Sequence, residues 1–173
     1  MGNPCYETVM ENSPEAPTTP TEDRPNRWPW PPILQVVVLA AAFALERLVP
    51  LSAMPRQGAW HSAGWAVFTL GFALAISGIA HFRKVGTAVD PTGRARVLAA
   101  SGIYAFTRNP MYLGVTVAFL GLAFALGSTW LLILSLIMPA ALYKLAIAPE
   151  EAYLRRRFGA DYERYCARVR RWL

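Results

Sequence analysis

Cysteine and histidine are nearly missing from this 173-residue chain, which holds two of each. Cys5 and Cys166 stand at opposite ends with no CxxC spacing, so neither a disulfide framework nor a zinc site is supported, and both read as ordinary cytosolic thiols. His61 and His81 are isolated from one another, which argues against a histidine-based metal centre; no metal is expected. There is no strand, glycine-rich loop and helix in succession and no Walker loop, so a Rossmann or P-loop nucleotide site is not supported. No set of nucleophile, base and orienting group can be assembled either. The amino terminus lacks a basic start followed by an apolar run, as a signal peptide requires. Gly2 opens a weak match to a myristoylation signal, but Tyr6 stands where serine or threonine is needed.

Acidic residues are the other scarcity, with 11 Asp and Glu against 17 Lys and Arg for a net charge of +6. Five of the acids (Glu7, Glu11, Glu15, Glu22 and Asp23) lie in residues 1–32 against only Arg24 and Arg27, a net of −3 that leaves +9 for the remainder. In a chain that is 54% hydrophobic, such an excess serves topology and anionic lipid headgroups, and nucleic acid is not expected as a partner.

Residues 1–32 hold eight of the 14 prolines and few aliphatic side chains, too little to offset the cost of ordering, so they read as a disordered cytosolic tail. Trp28 and Trp30, interleaved with Pro29, Pro31 and Pro32, mark an interfacial belt. The remainder is expected to be all-α, an integral membrane bundle of about four spans at 33–49, 62–82, 110–126 and 129–147, followed by cytosolic amphipathic helices over 149–172. Glu46 and Arg47 close the first span as a snorkelling end pair. Gly64, Gly71, Ser77 and Gly78 give the second span small surfaces for close helix approach. The segment after His81, with Arg83, Lys84, Asp90, Arg94, Arg96 and Arg108, is too polar to span. Pro139 is expected to kink the last span. Five basic residues between 83 and 108 and seven in the C-terminal segment, against Arg47 and Arg56 elsewhere, put both termini and the central loop in the cytosol.

Two polar motifs flank the apolar hairpin and must return to one membrane face. The first holds Gly102, Tyr104, Arg108, Asn109, Pro110, Tyr112 and Gly114. Asn109 is a good N-cap and Pro110 suits the first helical turn. Arg108 beside unsatisfied helix-start amides would receive a carboxylate or phosphate, though it would equally grip lipid phosphates with Tyr112 as an interface anchor. The second motif holds Glu150, Glu151, Leu154, Phe158, Gly159, Tyr162 and Tyr165. Pro149 followed by two acids is a standard helix opening, yet two carboxylates at the end of a span are expensive and would suit a ribose or a cationic sulfonium or ammonium group. Glu150 and Glu151 point in different directions, so one would bind ligand while the other pairs with an arginine. Gly159 reads as a helix C-cap and Asp161 as an N-cap, so two short helices meet at a bend. Tyr162 and Tyr165 share a face and either pack on the membrane or wall a nucleoside pocket. Arg164, Arg168, Arg170 and Arg171 read as headgroup ligands.

From about His81 to Leu173 these motifs resemble the integral-membrane isoprenylcysteine carboxyl methyltransferase and phospholipid methyltransferase family. The resemblance implies a methyltransferase domain over 33–173, S-adenosylmethionine as cofactor, and methyl transfer to a lipid-like or lipid-linked acceptor. It implies Arg108, Tyr112 and Glu151 as catalytic candidates. Gly102, Tyr104, Asn109, Pro110, Glu150, Glu151, Leu154, Tyr162 and Tyr165 are then the cofactor-binding candidates. Asn109 stands where the eukaryotic carboxyl methyltransferases usually have histidine, which points to bacterial relatives, a bacterial inner membrane, and away from a prenylcysteine acceptor. A carboxylate acceptor would need no base, whereas an amine or hydroxyl would draw on Glu150, Glu151 or a tyrosine. Two other readings stay open: a membrane NADPH-dependent reductase of sterol-reductase-like layout, with Arg94, Arg96 and Arg155 to Arg157 for a 2′-phosphate, and a non-catalytic lipid-binding protein.

Overall fold

The computed structural model describes residues 28–51, 54, 57–86, 95 and 97–173. Residues 1–27 of the tail expected over 1–32 lie outside them, as do Arg56, Asp90, Arg94 and Arg96, whereas Trp30, Pro31 and Pro32 open the first helix. The described residues form an integral membrane helical bundle: α1 (Trp30–Leu48), α2 (Ala59–Val85), α3 (Pro110–Leu126), α4 (Thr129–Leu142), α5 (Ala148–Phe158) and α6 (Ala160–Arg168), with a 3₁₀ turn at Gly102–Ala105. Three helical stretches, Trp30–Leu48, Ala59–Val85 and Thr129–Phe158, are long and apolar enough to cross a membrane, and α3 is a shorter apolar helix. At ~1.5 Å per residue the 17 residues of α3 reach ~26 Å, just under the ~30 Å hydrocarbon thickness.

α2 and α3 pack antiparallel with their backbones in contact. A Cβ on Gly64 would stand 2.3 Å from the Ala125 nitrogen, one on Gly71 2.3 Å from the Ala118 nitrogen, and one on Gly78 2.7 Å from the Met111 side chain. From the other side, a Cβ on Gly114 would meet the Ala75 nitrogen at 2.4 Å and one on Gly121 the Phe68 nitrogen at 2.2 Å. The contacting residues recur at alternating steps of three and four on both helices, the 3.5-residue period of a left-handed antiparallel seam. Small residues suit that seam because lipid offers no hydrophobic force to bring helices together, so close van der Waals contact must do so. Ser77 takes no part in it: its side chain is exposed and its hydroxyl donates to the Leu74 carbonyl at 2.7 Å.

α1 packs on α4. Val38 and Ala42 join Tyr112, Phe119 and Ala123 of α3 and Leu131, Met138 and Leu142 of α4 in one core, so the spatial order is α2, α3, α4, α1. At the end away from the polar motifs, the Trp130 indole donates to the Val49 carbonyl at 2.7 Å and the Ser128 hydroxyl donates to Glu46 at 3.1 Å. His61 Nδ1 donates to the Ala125 carbonyl at 2.6 Å, which leaves Nε2 to accept from the Trp65 indole at 3.2 Å. Arg47 lies over the Phe43 ring at 4.6 Å.

The last span differs from expectation at the second of its two prolines. Pro149 does not open a helix; α4 runs into a π-helical turn at Tyr143–Ile147 and on into α5 without a break. Pro139 lies within α4, upstream of that turn. A proline inside a helix lacks an amide proton and crowds the carbonyl four residues back. Widening the preceding turn to π geometry absorbs the misfit, and the Ala148 amide accordingly bonds back to the Tyr143 carbonyl. α5 ends at Gly159, whose φ of +49° turns the chain. Gly159 also begins α6, so Asp161 sits inside that helix and pairs with Arg164.

Placing leucine at Gly71 should force α2 and α3 apart and cost on the order of 1–3 kcal/mol, read as a fall in the melting temperature of the purified protein. Ala73→Leu, on the exposed face of the same helix, should leave melting unchanged.

Candidate functional site

The two polar motifs meet at one end of the bundle. α3 begins at Pro110 with Asn109 before it, as the sequence suggests, but the Asn109 side chain makes no capping bond. Its amide donates instead to the Arg171 carbonyl at 3.1 Å, and the Thr107 hydroxyl donates to the same oxygen at 3.1 Å. The Arg108 amide donates to the Arg170 carbonyl at 3.0 Å. The turn before α3 is therefore held by an extended C-terminal strap that follows α6.

Strap and acid pair are joined through Glu151. Arg171 grips it with both faces of the fork, Nε to Oε1 and Nη2 to Oε2, each at 2.8 Å. Arg108 Nη1 stands 3.5 Å from the same Oε1, and the side chains of Arg108 and Glu151 are only 13% and 11% exposed. The Arg171 guanidinium also covers the Tyr143 ring of the π turn at 4.8 Å. Hydrogen bonding to Glu151 pushes the Arg171 guanidinium above even its usual range, so it is permanently charged. Held by Arg171 through both oxygens and approached by Arg108, Glu151 is placed to organise charge at this end of the bundle.

Glu150 points elsewhere, as adjacent helical positions must. The Tyr112 hydroxyl donates to its Oε2 at 3.0 Å across 38 residues of sequence. Tyr104 lies close by on the 3₁₀ turn, with its ring stacked on Phe82 at 4.7 Å and near His81 at 5.6 Å. Burial, reinforced by the negative charge of Glu150, holds the Tyr104 phenol far above its ordinary range. Tyr162 and Tyr165 are also pushed up by burial. All three are therefore protonated at neutral pH and suited to donating hydrogen bonds rather than accepting protons. The Tyr165 hydroxyl is spent on the Tyr104 carbonyl at 2.7 Å. Among the described residues, the Tyr104 hydroxyl and Arg108 Nε are buried polar atoms without a partner.

Other candidates have structural work here. Gly102 combines a φ of +59° with a His81 ring that a Cβ would meet at 2.7 Å, so no larger residue fits. Leu154 packs with Phe158, Leu98 and Cys166 around Tyr162, Tyr165 and Val169. Arg171, Thr107, Cys166 and Tyr153 were not singled out as site residues by sequence. The Cys166 sulfur accepts from Arg108 Nη1 at 2.7 Å, and the Tyr153 hydroxyl accepts from the Ala95 amide at 3.1 Å. Arg171 looked like one of four headgroup arginines, and nothing in local spacing separates it from its neighbours. Among the described residues no group of three or more His, Cys, Asp or Glu is placed to hold a metal.

Neither a search of curated proteins nor a search of solved structures finds a match for this chain. The family model for phospholipid methyltransferase matches residues 59–161, a stretch running from the first residue of α2 through the turn before α3, the acid pair and the start of α6. That match covers more than half of the chain, and with the apolar bundle around it the chain belongs to the phospholipid methyltransferase family, a family of membrane methyltransferases.

Proposed function

We propose that this protein transfers the methyl group of S-adenosylmethionine to a lipid-like or lipid-linked acceptor at the cytosolic face of a bacterial inner membrane, with both termini in the cytosol. The observation that carries the reading is the Tyr112–Glu150 pair beside the unpartnered Tyr104 hydroxyl, joined through the second acid to a half-buried arginine whose Nε is buried without a partner. The donor set fits the cofactor group by group. A half-buried carboxylate suits a cationic or hydroxyl-bearing partner, a protonated phenol suits an acceptor atom, and a guanidinium with an unpartnered Nε suits a carboxylate.

When bound, S-adenosylmethionine supplies an electrophilic methyl group on a sulfonium centre. Glu150, whose Oε2 accepts from the Tyr112 hydroxyl, would place negative charge near that cation. The buried, unpartnered Tyr104 hydroxyl would donate a hydrogen bond to the ligand from a site where competing water is scarce, which would strengthen both it and the Glu150 interaction. The acceptor enters from the bilayer, so its reactive group meets the cofactor at the boundary between lipid and cytosol, and alignment of the two accounts for much of the rate. Glu150 is the candidate base for an amine or hydroxyl acceptor.

The test is equilibrium binding of S-adenosylmethionine and S-adenosylhomocysteine to the purified full chain, with NADPH as control, and transfer of a labelled methyl group into a bacterial lipid extract. Saturable binding with label in the lipid fraction is the expected result; binding of NADPH alone would replace the reading with a reductase. Glu150→Gln should weaken cofactor binding by about 10–100-fold, the scale of one hydrogen bond to a charged group. Tyr112→Phe, which removes the hydrogen bond that orients the Glu150 carboxylate, should cost less cofactor affinity than Glu150→Gln and lower stability by about 1–3 kcal/mol, read as a fall in melting temperature.

A further inference from the structure

Two arginines converge on one carboxylate, and they do not share it equally. Arg171 takes both oxygens of Glu151 at 2.8 Å. Arg108 stands off at 3.5 Å, with Nη1 turned to the Cys166 sulfur at 2.7 Å and Nε buried without a partner. The cluster therefore carries one positive charge in excess, and that charge is concentrated on the arginine whose hydrogen bonding is incomplete. Arg108 is also the more buried of the two, its side chain 13% exposed against 35% for Arg171. A buried guanidinium lacking a full set of acceptors would normally move onto the nearest carboxylate. Here that carboxylate is already occupied.

We propose that Arg171 is a positioning residue: by occupying Glu151 it prevents Arg108 from collapsing onto that acid and keeps Arg108 open to an anionic group of the bound ligand. The proposal rests on the methyltransferase site described above and adds a division of labour to it. The strap delivers the competitor. Its two carbonyls accept from Thr107, Arg108 and Asn109, so the segment that carries Arg171 also fixes the turn that carries Arg108. Trp172 packs against the α1, α3 and α4 core and anchors the far side of the strap. The anion is a carboxylate or a phosphate, and two sources present one: the amino-acid end of the cofactor and the headgroup of a lipid.

The full chain in phosphatidylcholine nanodiscs separates these. Affinity is measured for S-adenosylhomocysteine and for a short-chain phosphatidylglycerol in the wild type, Arg171→Met, Arg171→Lys and the double variant Glu151→Gln, Arg171→Met. Arg171→Met should weaken one of the two probes by about tenfold, one lost charge-assisted hydrogen bond. Arg171→Lys, which keeps the charge and loses the fork, should fall between. The double variant should recover most of the loss, because the carboxylate 3.5 Å from Arg108 is gone and Glu150 is held by Tyr112. A loss and recovery seen with S-adenosylhomocysteine places the anion on the cofactor; the same pattern with phosphatidylglycerol alone places it on the lipid. The latter pattern in a wild type that binds no S-adenosylhomocysteine would count against the methyltransferase reading and still support the role of Arg171. Unchanged affinities in Arg171→Met overturn the proposal. So does a double variant as weak as the single one, which would make Arg171 a structural tie, and so does a wild type that binds neither probe.

Discussion

A carboxylate at the end of a membrane span has to be neutralised where it stands, and much of the motif end of this protein follows from how Glu151 meets that demand. Leaving it buried and unpaired would cost on the order of 3–5 kcal/mol. The partner comes from the C-terminal strap, 20 residues away, and the bond draws with it the strap carbonyls that secure the turn before α3. The arginine that clamps the acid also lies across the π turn at Tyr143. One ion pair thus fixes the relative placement of α3, α5, α6 and the widened turn between α4 and α5. Glu150 inherits its direction from this arrangement, since a helix with one carboxylate held must turn the adjacent one elsewhere.

The sequence showed the fold class, the hairpin that returns both motifs to one end, and the split between the two acids. These are written in local patterns: apolar runs, an Asn-Pro helix start, neighbouring residues on different helix faces. It also pointed to glycine packing on α2, but read Ser77 as part of the surface because small size alone does not reveal which way a residue faces. The complementary stripe on α3 explains Gly114, whose place in a polar motif masks a packing role against Ala75. Gly102 is similar, required by backbone angle and by His81.

What sequence could not show depends on distance along the chain or on a choice between two local solutions. Pro149 with two acids fits a helix start and also fits a helix that widens before it; only the path of α4 decides between them. Asn109 fits a cap, yet its amide is worth more on a strap carbonyl that no local window contains. Arg171 is one of several arginines in a basic tail until the chain folds back. The phenols were candidates for base or wall, and burial assigns Tyr104, Tyr162 and Tyr165 the protonated form.

The order of helices in space has a consequence for how the protein is made. α1 is synthesised before its main partner, and its contacts with the start of α4, such as the bond between Glu46 and Ser128, join residues 82 apart in sequence. During synthesis α1 is therefore made, and offered to the bilayer, before the helix it packs on exists. Its exposed Val36, Val37, Leu39 and Phe43 suit that interval, because a helix that waits in lipid needs a surface that lipid can solvate on every side. Assembly is completed only when α4 arrives to fill the space between the early pair and the helix that preceded it.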